Sequence, residues 1–309
     1  MNNGPIKRRL GTRRARLVVA LALAAPLSVL ALASPALATP KGIFSVFSDC
    51  PVKMPGVALC TFAQTKSGEF TIGKTTVPIN KTITLQGGAI PTGNPENGKE
   101  YFLVPATDGN SLSKTELNVP GGLLNLINCT EIKGSGLFEV LERASCKAIF
   151  ENGTTGVTAT TELVATTTNP AILNLAALAT EEGTALTLPL RVHLKNPLLG
   201  SGCYIGSEKS PVQLHLTTGK SGTLHGSRGE AETLEEKEQV MLRLFENSLV
   251  DNTYSAPVAE GCGEFFSFLI DPILDAKIGL PSAAGKNKAI LNGELKSATS
   301  EAVIASEKF

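Results

Sequence analysis

Residues 184–217 read TALTLPLRVHLKNPLLGSGCYIGSEKSPVQLHLT. In the first arm Leu186, Leu188, Leu190, Val192 and Leu194 alternate with Thr187, Pro189, Arg191, His193 and Lys195. In the second, Val212, Leu214 and Leu216 alternate with Gln213, His215 and Thr217. A period of two places successive side chains on opposite faces of an extended chain, the pattern of a half-buried strand. The Gly/Ser/Pro-rich connection carries Cys203. The stretch predicts an antiparallel strand pair with one apolar face, one polar face and a cysteine in its loop.

Most of the remaining chain has the same texture. It is rich in Thr, Gly and Ala, has no Trp and 15 aromatic residues, and suits many short strands filled by Leu, Val and Ile. The fold class expected is all-β: an antiparallel β-sandwich, one large or two small β subdomains, braced by disulfides, with two or three short helices. The Gly/Pro/Asn-rich residues 87–99 read as a long surface loop and the place for a subdomain boundary.

The beginning of the chain differs. Lys7, Arg8, Arg9, Arg13, Arg14 and Arg16 precede an apolar run at residues 17–32, followed by Ala36-Leu37-Ala38. This reads as a secretory signal peptide, residues 1–38, cut after Ala38, with residues 39–309 as the exported domain. An uncleaved membrane anchor is the competing reading, but the run is shorter than the roughly 20 residues a spanning helix needs and Pro26 interrupts it. Arg13-Arg14 hints at twin-arginine export, although Arg16 stands where that signal prefers an apolar residue; general secretion fits better. Removing these six basic residues from the 28 in the chain leaves 22 against 28 acidic ones, a formal −6. That surface speaks against nucleic acid and anionic lipid as main partners. No other stretch is long and apolar enough to span a bilayer, so membrane insertion is not expected.

Cys50, Cys60, Cys129, Cys146, Cys203 and Cys262 all follow the predicted cleavage site. An even count in an exported chain predicts disulfides, and the absence of C-x-x-C spacing speaks against zinc and redox chemistry. Six cysteines allow 15 pairings. Sequential pairing (50–60, 129–146, 203–262) closes the shortest loops.

In chain order, residues 42–48 read as a first strand anchored by Phe44 and Phe47. Residues 59–64 and 69–72 read as a hairpin about Lys66-Ser67-Gly68. Pro120 opens a short apolar helix ending at Cys129, and Asn152-Gly153 predicts a type I′ hairpin in which Cys146 faces Ala159. Asn169-Pro170 and Asp271-Pro272 each look like a helix N-cap with Pro at the first helical position. The acidic residues 230–238 read as a solvated loop entering a strand, with a helix close behind, and the polar end after about Leu295 as frayed.

Motifs for chemistry are weak. Residues 68–75, GEFTIGKT, match a P-loop by letter, but Glu-Phe-Thr-Ile has strand character and Pro78 follows closely, so nucleotide binding is not expected. His193 and His215, on the polar sides of the two arms, would begin a metal site if they were cross-strand neighbours; solvent-facing histidines are the simpler reading, and His225 joins no catalytic spacing. Asp271 and Asp275 would share a helix face as paired carboxylates, but helix capping and dipole compensation account for them. Ser111-Leu112-Ser113-Lys114 fits S-x-x-K without its companion motifs. A hydrolase would need a cleft gathering Asp271, Asp275 and His193 or His215. The residues predict no enzyme, no cofactor and no metal centre. Tyr101, Tyr204 and Tyr254, without Trp, make a poor platform for stacking sugars.

Four stretches together resemble a known group: residues 60–88 (CTFAQTKSGEFTIGKTTVPINKTITLQGG), 193–207 (HLKNPLLGSGCYIGS), 248–263 (SLVDNTYSAPVAEGCG) and 279–291 (GLPSAAGKNKAIL). They are similar to multi-copy secreted proteins of high-GC actinobacteria, with the Cys203 and Cys262 contexts the most specific parts. The resemblance implies export from a Gram-positive-type cell and a shared all-β scaffold; it carries over no catalytic residue. The expected function is a secreted, non-catalytic structural or adhesive binding protein of the cell envelope or extracellular space, acting on an envelope or extracellular partner. The alternative is a β-barrel pore or a protein of the envelope that binds lipids or other apolar ligands, motivated by the long alternating strands at residues 154–166 and 185–195.

Overall fold

A computed structural model describes residues 39–94, 99–120, 136, 139–141, 143–144 and 156–309. The helix expected after Pro120, the Asn152-Gly153 turn, Cys129 and Cys146 lie outside them. The first strands are β1 (Leu59–Ile72), β2 (Thr75–Pro78), β3 (Ile83–Pro91), β4 (Glu100–Val104) and β5 (Leu117–Asn118). Then come β6 (Thr158–Leu163), β7 (Ile172–Asn174), helix α1 (Leu175–Thr180), β8 (Leu186–Lys195), β9 (Tyr204–Ile205) and β10 (Val212–Leu216). The chain continues with β11 (Lys220–Ser221), β12 (Leu224–His225), β13 (Glu230–Glu236), β14 (Gln239–Asp251) and β15 (Ala259–Glu260). It ends with helix α2 (Ser267–Ile278), β16 (Lys288–Thr299) and helix α3 (Ser300–Ser306).

The two alternating arms of residues 184–217 are β8 and β10, antiparallel and in register from Val212 opposite Leu190 to Leu216 opposite Leu186. Their even-numbered apolar residues are buried, so the period-two pattern works as read. β8 is the junction of the fold. One edge takes β7 at Leu186–Thr187 and β6 from Leu190 to Lys195; the other takes β10 and then β9. The main path of the sheet runs β13-β14-β16-β1-β3-β4-β7-β8-β6-β5, antiparallel throughout. It folds over, so that β14, β16, β1 and β3 face β6, β8 and β10 across a shared apolar cluster. The fold is an all-β sandwich whose two layers belong to one sheet. At the far seam Thr217, just after β10, meets Val250 of β14 through two hydrogen bonds of 3.0 and 2.8 Å; this is a bridged pair, not a paired strand.

Several local elements differ from the sequence reading, each for an identifiable reason. Phe44 and Phe47 are buried, but on a 3-10 helix (Gly42–Phe47), where residues three apart share a face. Lys66-Ser67-Gly68 is no turn: β1 runs straight through on β16, with a bulge between Thr65 and Ser67. Gly68 has φ +125°, and a Cβ there would lie 1.9 Å from the Ile290 carbonyl oxygen, so only glycine passes. Gly87 and Gly88, read as the start of a loop, belong to β3, which carries the sheet on into β4. Ala159 pairs with Leu117 on one edge and Leu194 on the other.

Of the acidic residues 230–238, Glu230–Glu236 form strand β13, joined to β14 by Lys237-Glu238 with φ of 48° and 67°, the backbone of a type I′ turn without its usual Asn-Gly. The chain end is not frayed: α3 buries Ala302 and Val303 against Phe44 and Phe47. Helix α1 begins at Leu175, five residues after Pro170, and its cap is Asn174, whose side chain accepts from the Ala177 amide at 2.9 Å. Asn174→Ala is expected to lower stability by about 1 kcal/mol in denaturant titration.

The outer face of the β14–β16–β1 layer is tied by charge. Glu294 accepts from Arg243 at 2.8 Å and pairs with Lys66 at 3.1 Å, while Arg243 also donates to Glu232 at 2.7 Å. Burial alone would raise the Glu294 pKa, but the hydrogen bonds from Arg243 and Lys66 outweigh it and hold the carboxyl below its usual range. A depressed folded pKa means the contribution is complete above about 4.3, where an unfolded glutamate titrates, and is lost as pH falls through the lower folded value. Glu294→Gln is expected to cost about 2 kcal/mol at pH 7 and to flatten the fall in stability below pH ~4.5, checked by urea unfolding across pH.

Candidate functional site

The inward residues of β8 (Leu186, Leu188, Leu190, Val192 and Leu194) do not meet the opposite layer everywhere. Between them and Phe70, Ile83, Leu85, Leu249 and Leu291 lies a cavity of about 140 Å³, also bordered by Leu178 of α1 and Ile278 of α2. Its lining is largely apolar; the polar residues on its border are Gln64, Asn247, four threonines and Glu294, whose carboxylate is engaged by Arg243 and Lys66 on the outer face. A void of this size is about that of the engineered cavity that stays dry and takes up benzene or xenon. An apolar occupant would restore to the walls the contacts that an empty space forfeits.

One border of the cavity is fastened with unusual firmness. Cys203, in the β8–β10 connection directly before β9, is bonded to Cys262 just after β15, and both are fully buried. β9 and β15 pair beside the bond, Ile205 opposite Ala259, and Ile205 lines the cavity. Where the two loops cross, Gly261 has φ +74° and a Cβ on it would lie 2.4 Å from the Gly202 carbonyl oxygen.

From Cys262 the chain enters a 3-10 turn (Glu264–Phe266) and then α2. Asp271 is not an N-cap, and Asp275 is not in the first turn: α2 starts at Ser267, five residues before the Pro272 start of the Asp-Pro reading. Both carboxylates grip the preceding strand instead. Asp271 accepts from the Gly261 and Cys262 amides at 3.1 and 2.8 Å, and Asp275 from the Ala259 amide at 2.8 Å. Burial raises the Asp275 pKa, the Ala259 amide opposes this, and the Asp271 charge adds to it. Leu274 and Ile278 of α2 enter the core, while Phe265, Phe266, Phe268, Leu269 and Ile273 face solvent.

The histidines are not neighbours. His215 lies opposite Thr187, whereas His193 is six residues further along β8, roughly 20 Å away at the strand rise. His193 is mostly buried, stacked on Tyr204 with ring centroids 4.4 Å apart and its Nδ1 3.5 Å from Glu162. Arg191 donates to the same carboxylate at 2.8 Å and lies over the Tyr204 ring. This cluster has no nucleophile in it and reads as a cross-strand brace. Among the described residues no group of three or more His, Cys, Asp or Glu is placed to hold a metal ion. Residues 68–75 form the end of β1, a Gly73-Lys74 turn and the start of β2, not the strand-to-helix turn that cradles phosphate.

Cavity and apolar helix face were both missed in sequence. The alternating aliphatic residues of β8 mark a buried face but not a void beside it, whereas Phe265-Phe266-Ser267-Phe268-Leu269 next to a cysteine marks the patch. No protein-family model, no curated protein and no solved structure matches this chain.

Proposed function

We propose that this protein is a non-catalytic binding protein that takes an apolar, lipid-like molecule into the interior of its sandwich. The observation that carries the reading is the aliphatic cavity of about 140 Å³ between β8 and the β1–β16 layer. Of the two halves of the alternative raised by the sequence, the apolar faces support the ligand-binding one. A pore needs its apolar band outside, whereas here the aliphatic residues point inward and Arg191, Glu162, Arg243 and Glu232 lie on outer faces. A purely structural or adhesive role makes no use of this space.

The setting belongs to the same proposal: export, removal of the first 38 residues, and work at the cell envelope or in the medium of an actinobacterial, Gram-positive-type cell. The Cys50–Cys60 and Cys203–Cys262 bonds, and the absence among the described residues of a helix long and apolar enough to cross a membrane, are compatible with an extracellular protein. Titration with the neutral fluorophore N-phenyl-1-naphthylamine is the test. Saturable one-site enhancement, displaced by a long-chain alcohol, is expected; enhancement that is non-saturable or absent would sink the reading.

A further inference from the structure

The segment from Glu264 to Ile278 is apolar on two opposite sides. At 3.6 residues per turn, Phe268, Leu269, Pro272, Ile273 and Ala276 of α2 fall on one face, opposite the buried Leu274 and Ile278. The turn before the helix adds Phe265 and Phe266, and Phe265, Phe266 and Phe268 are 91, 64 and 78% exposed. An apolar face of a helix belongs in a core or in lipid. α2 has two, separated by Asp271 and Asp275 on one side and Lys277 on the other, and only one of them is in a core.

The patch is also held in place. The Cys203–Cys262 bond and the Asp271 and Asp275 carboxylates fix the segment to β15, so little ordering remains to be paid on docking. Three aromatic side chains of roughly 150–250 Å² each make a patch at the upper end of what monomeric proteins expose. Protein interfaces of that size carry about one hydrogen bond per 100–200 Å², and this face presents no polar side chain to make them. A lipid interface asks for none. α2 has 12 residues and is about 18 Å long, too short to cross a bilayer and suited to lying in its surface. Ile278 on its inner side lines the cavity, so the exposed face and the apolar interior are two sides of one element. The charges beside the patch are Glu264, Asp271 and Asp275 against Lys277, which disfavours anionic headgroups.

We infer that the outer face of α2, with Phe265 and Phe266, seats this protein peripherally on a zwitterionic lipid surface, the three phenyl rings entering among the acyl chains. The choice of lipid over a protein partner rests in part on the apolar interior proposed above. The test uses the disulfide-bonded protein recovered after export, in co-sedimentation with phosphatidylcholine vesicles at low and high salt. Partitioning into the pellet is expected, unchanged by 0.5 M NaCl and not strengthened by phosphatidylglycerol. The triple variant Phe265→Ser, Phe266→Ser, Phe268→Ser should partition at least tenfold more weakly while binding the naphthylamine probe in solution like the wild type. Wild-type protein left in the supernatant overturns the inference whatever the probe does. Binding that needs phosphatidylglycerol and vanishes in salt overturns it too, as does a dimer that the three substitutions split and that no vesicle binds. Vesicle binding lost in the triple variant, with no probe uptake by either protein, sustains the docking face and removes the cavity reading alone.

Discussion

Replacing both Cys203 and Cys262 by Ser is expected to lower stability by about 4 kcal/mol. The bond closes a loop of 59 residues, and the chain-entropy relation gives that figure for a loop of this length. In a chain of this size it corresponds to a drop in Tm of roughly 8–16 °C. The effect should be uneven. Lower global stability should quicken hydrogen exchange in β1 and β16, which are paired along nearly their whole length, and loss of the crosslink should add local opening at Ala259–Cys262, limited along α2 by the hold of Asp271 and Asp275 on β15 and the residues after it. Exchange in β1 and β16 left unchanged would contradict the expected loss of global stability.

The second large effect concerns the interior. Ala159 lies on β6 and lines the cavity, buried, with Leu117 and Leu194 as its strand partners. Ala159→Phe places a phenyl ring in the space assigned to the ligand. Probe affinity should fall at least 100-fold, about 2.7 kcal/mol, while unfolding shows a stability unchanged or raised by about 1 kcal/mol, as filling a void does. The combination is diagnostic, because a substitution that merely disturbed the core would weaken both. Full affinity retained in a folded Ala159→Phe protein would place the probe elsewhere.

How much of this was legible depends on the range of the interaction that decides each feature. β8 and β10 were readable because burying one face of a strand needs only alternation, and Leu186 to Leu194 keep it without a break. The disulfide-braced all-β class followed from composition and cysteine placement. What failed was local punctuation overruled by long strand partners. Lys66-Ser67-Gly68 has the look of a turn, but β16 offers a continuous ladder and turns the irregularity into a bulge. Phe44 and Phe47 gave the right anchors on the wrong element, since two residues three apart fit a 3-10 turn as well as an irregular strand. Asp271-Pro272 matches a cap by type, yet the Gly261 and Cys262 amides claim the carboxylate and the helix begins before it. The cavity was out of reach. Aliphatic residues that fill a core and those that border a void are the same residues, and only the separation of the two layers tells them apart.

The most direct measurement is methyl NMR of the disulfide-bonded protein, with Leu and Val methyl groups labelled and decanol added. Shift changes should concentrate on Leu186, Leu188, Leu190, Val192, Leu194, Leu249 and Leu291, reach saturation together, and disappear in Ala159→Phe. Changes confined to Leu269 on the exposed helix face, or none at the cavity wall up to the solubility of decanol, would contradict an apolar binding site inside the sandwich.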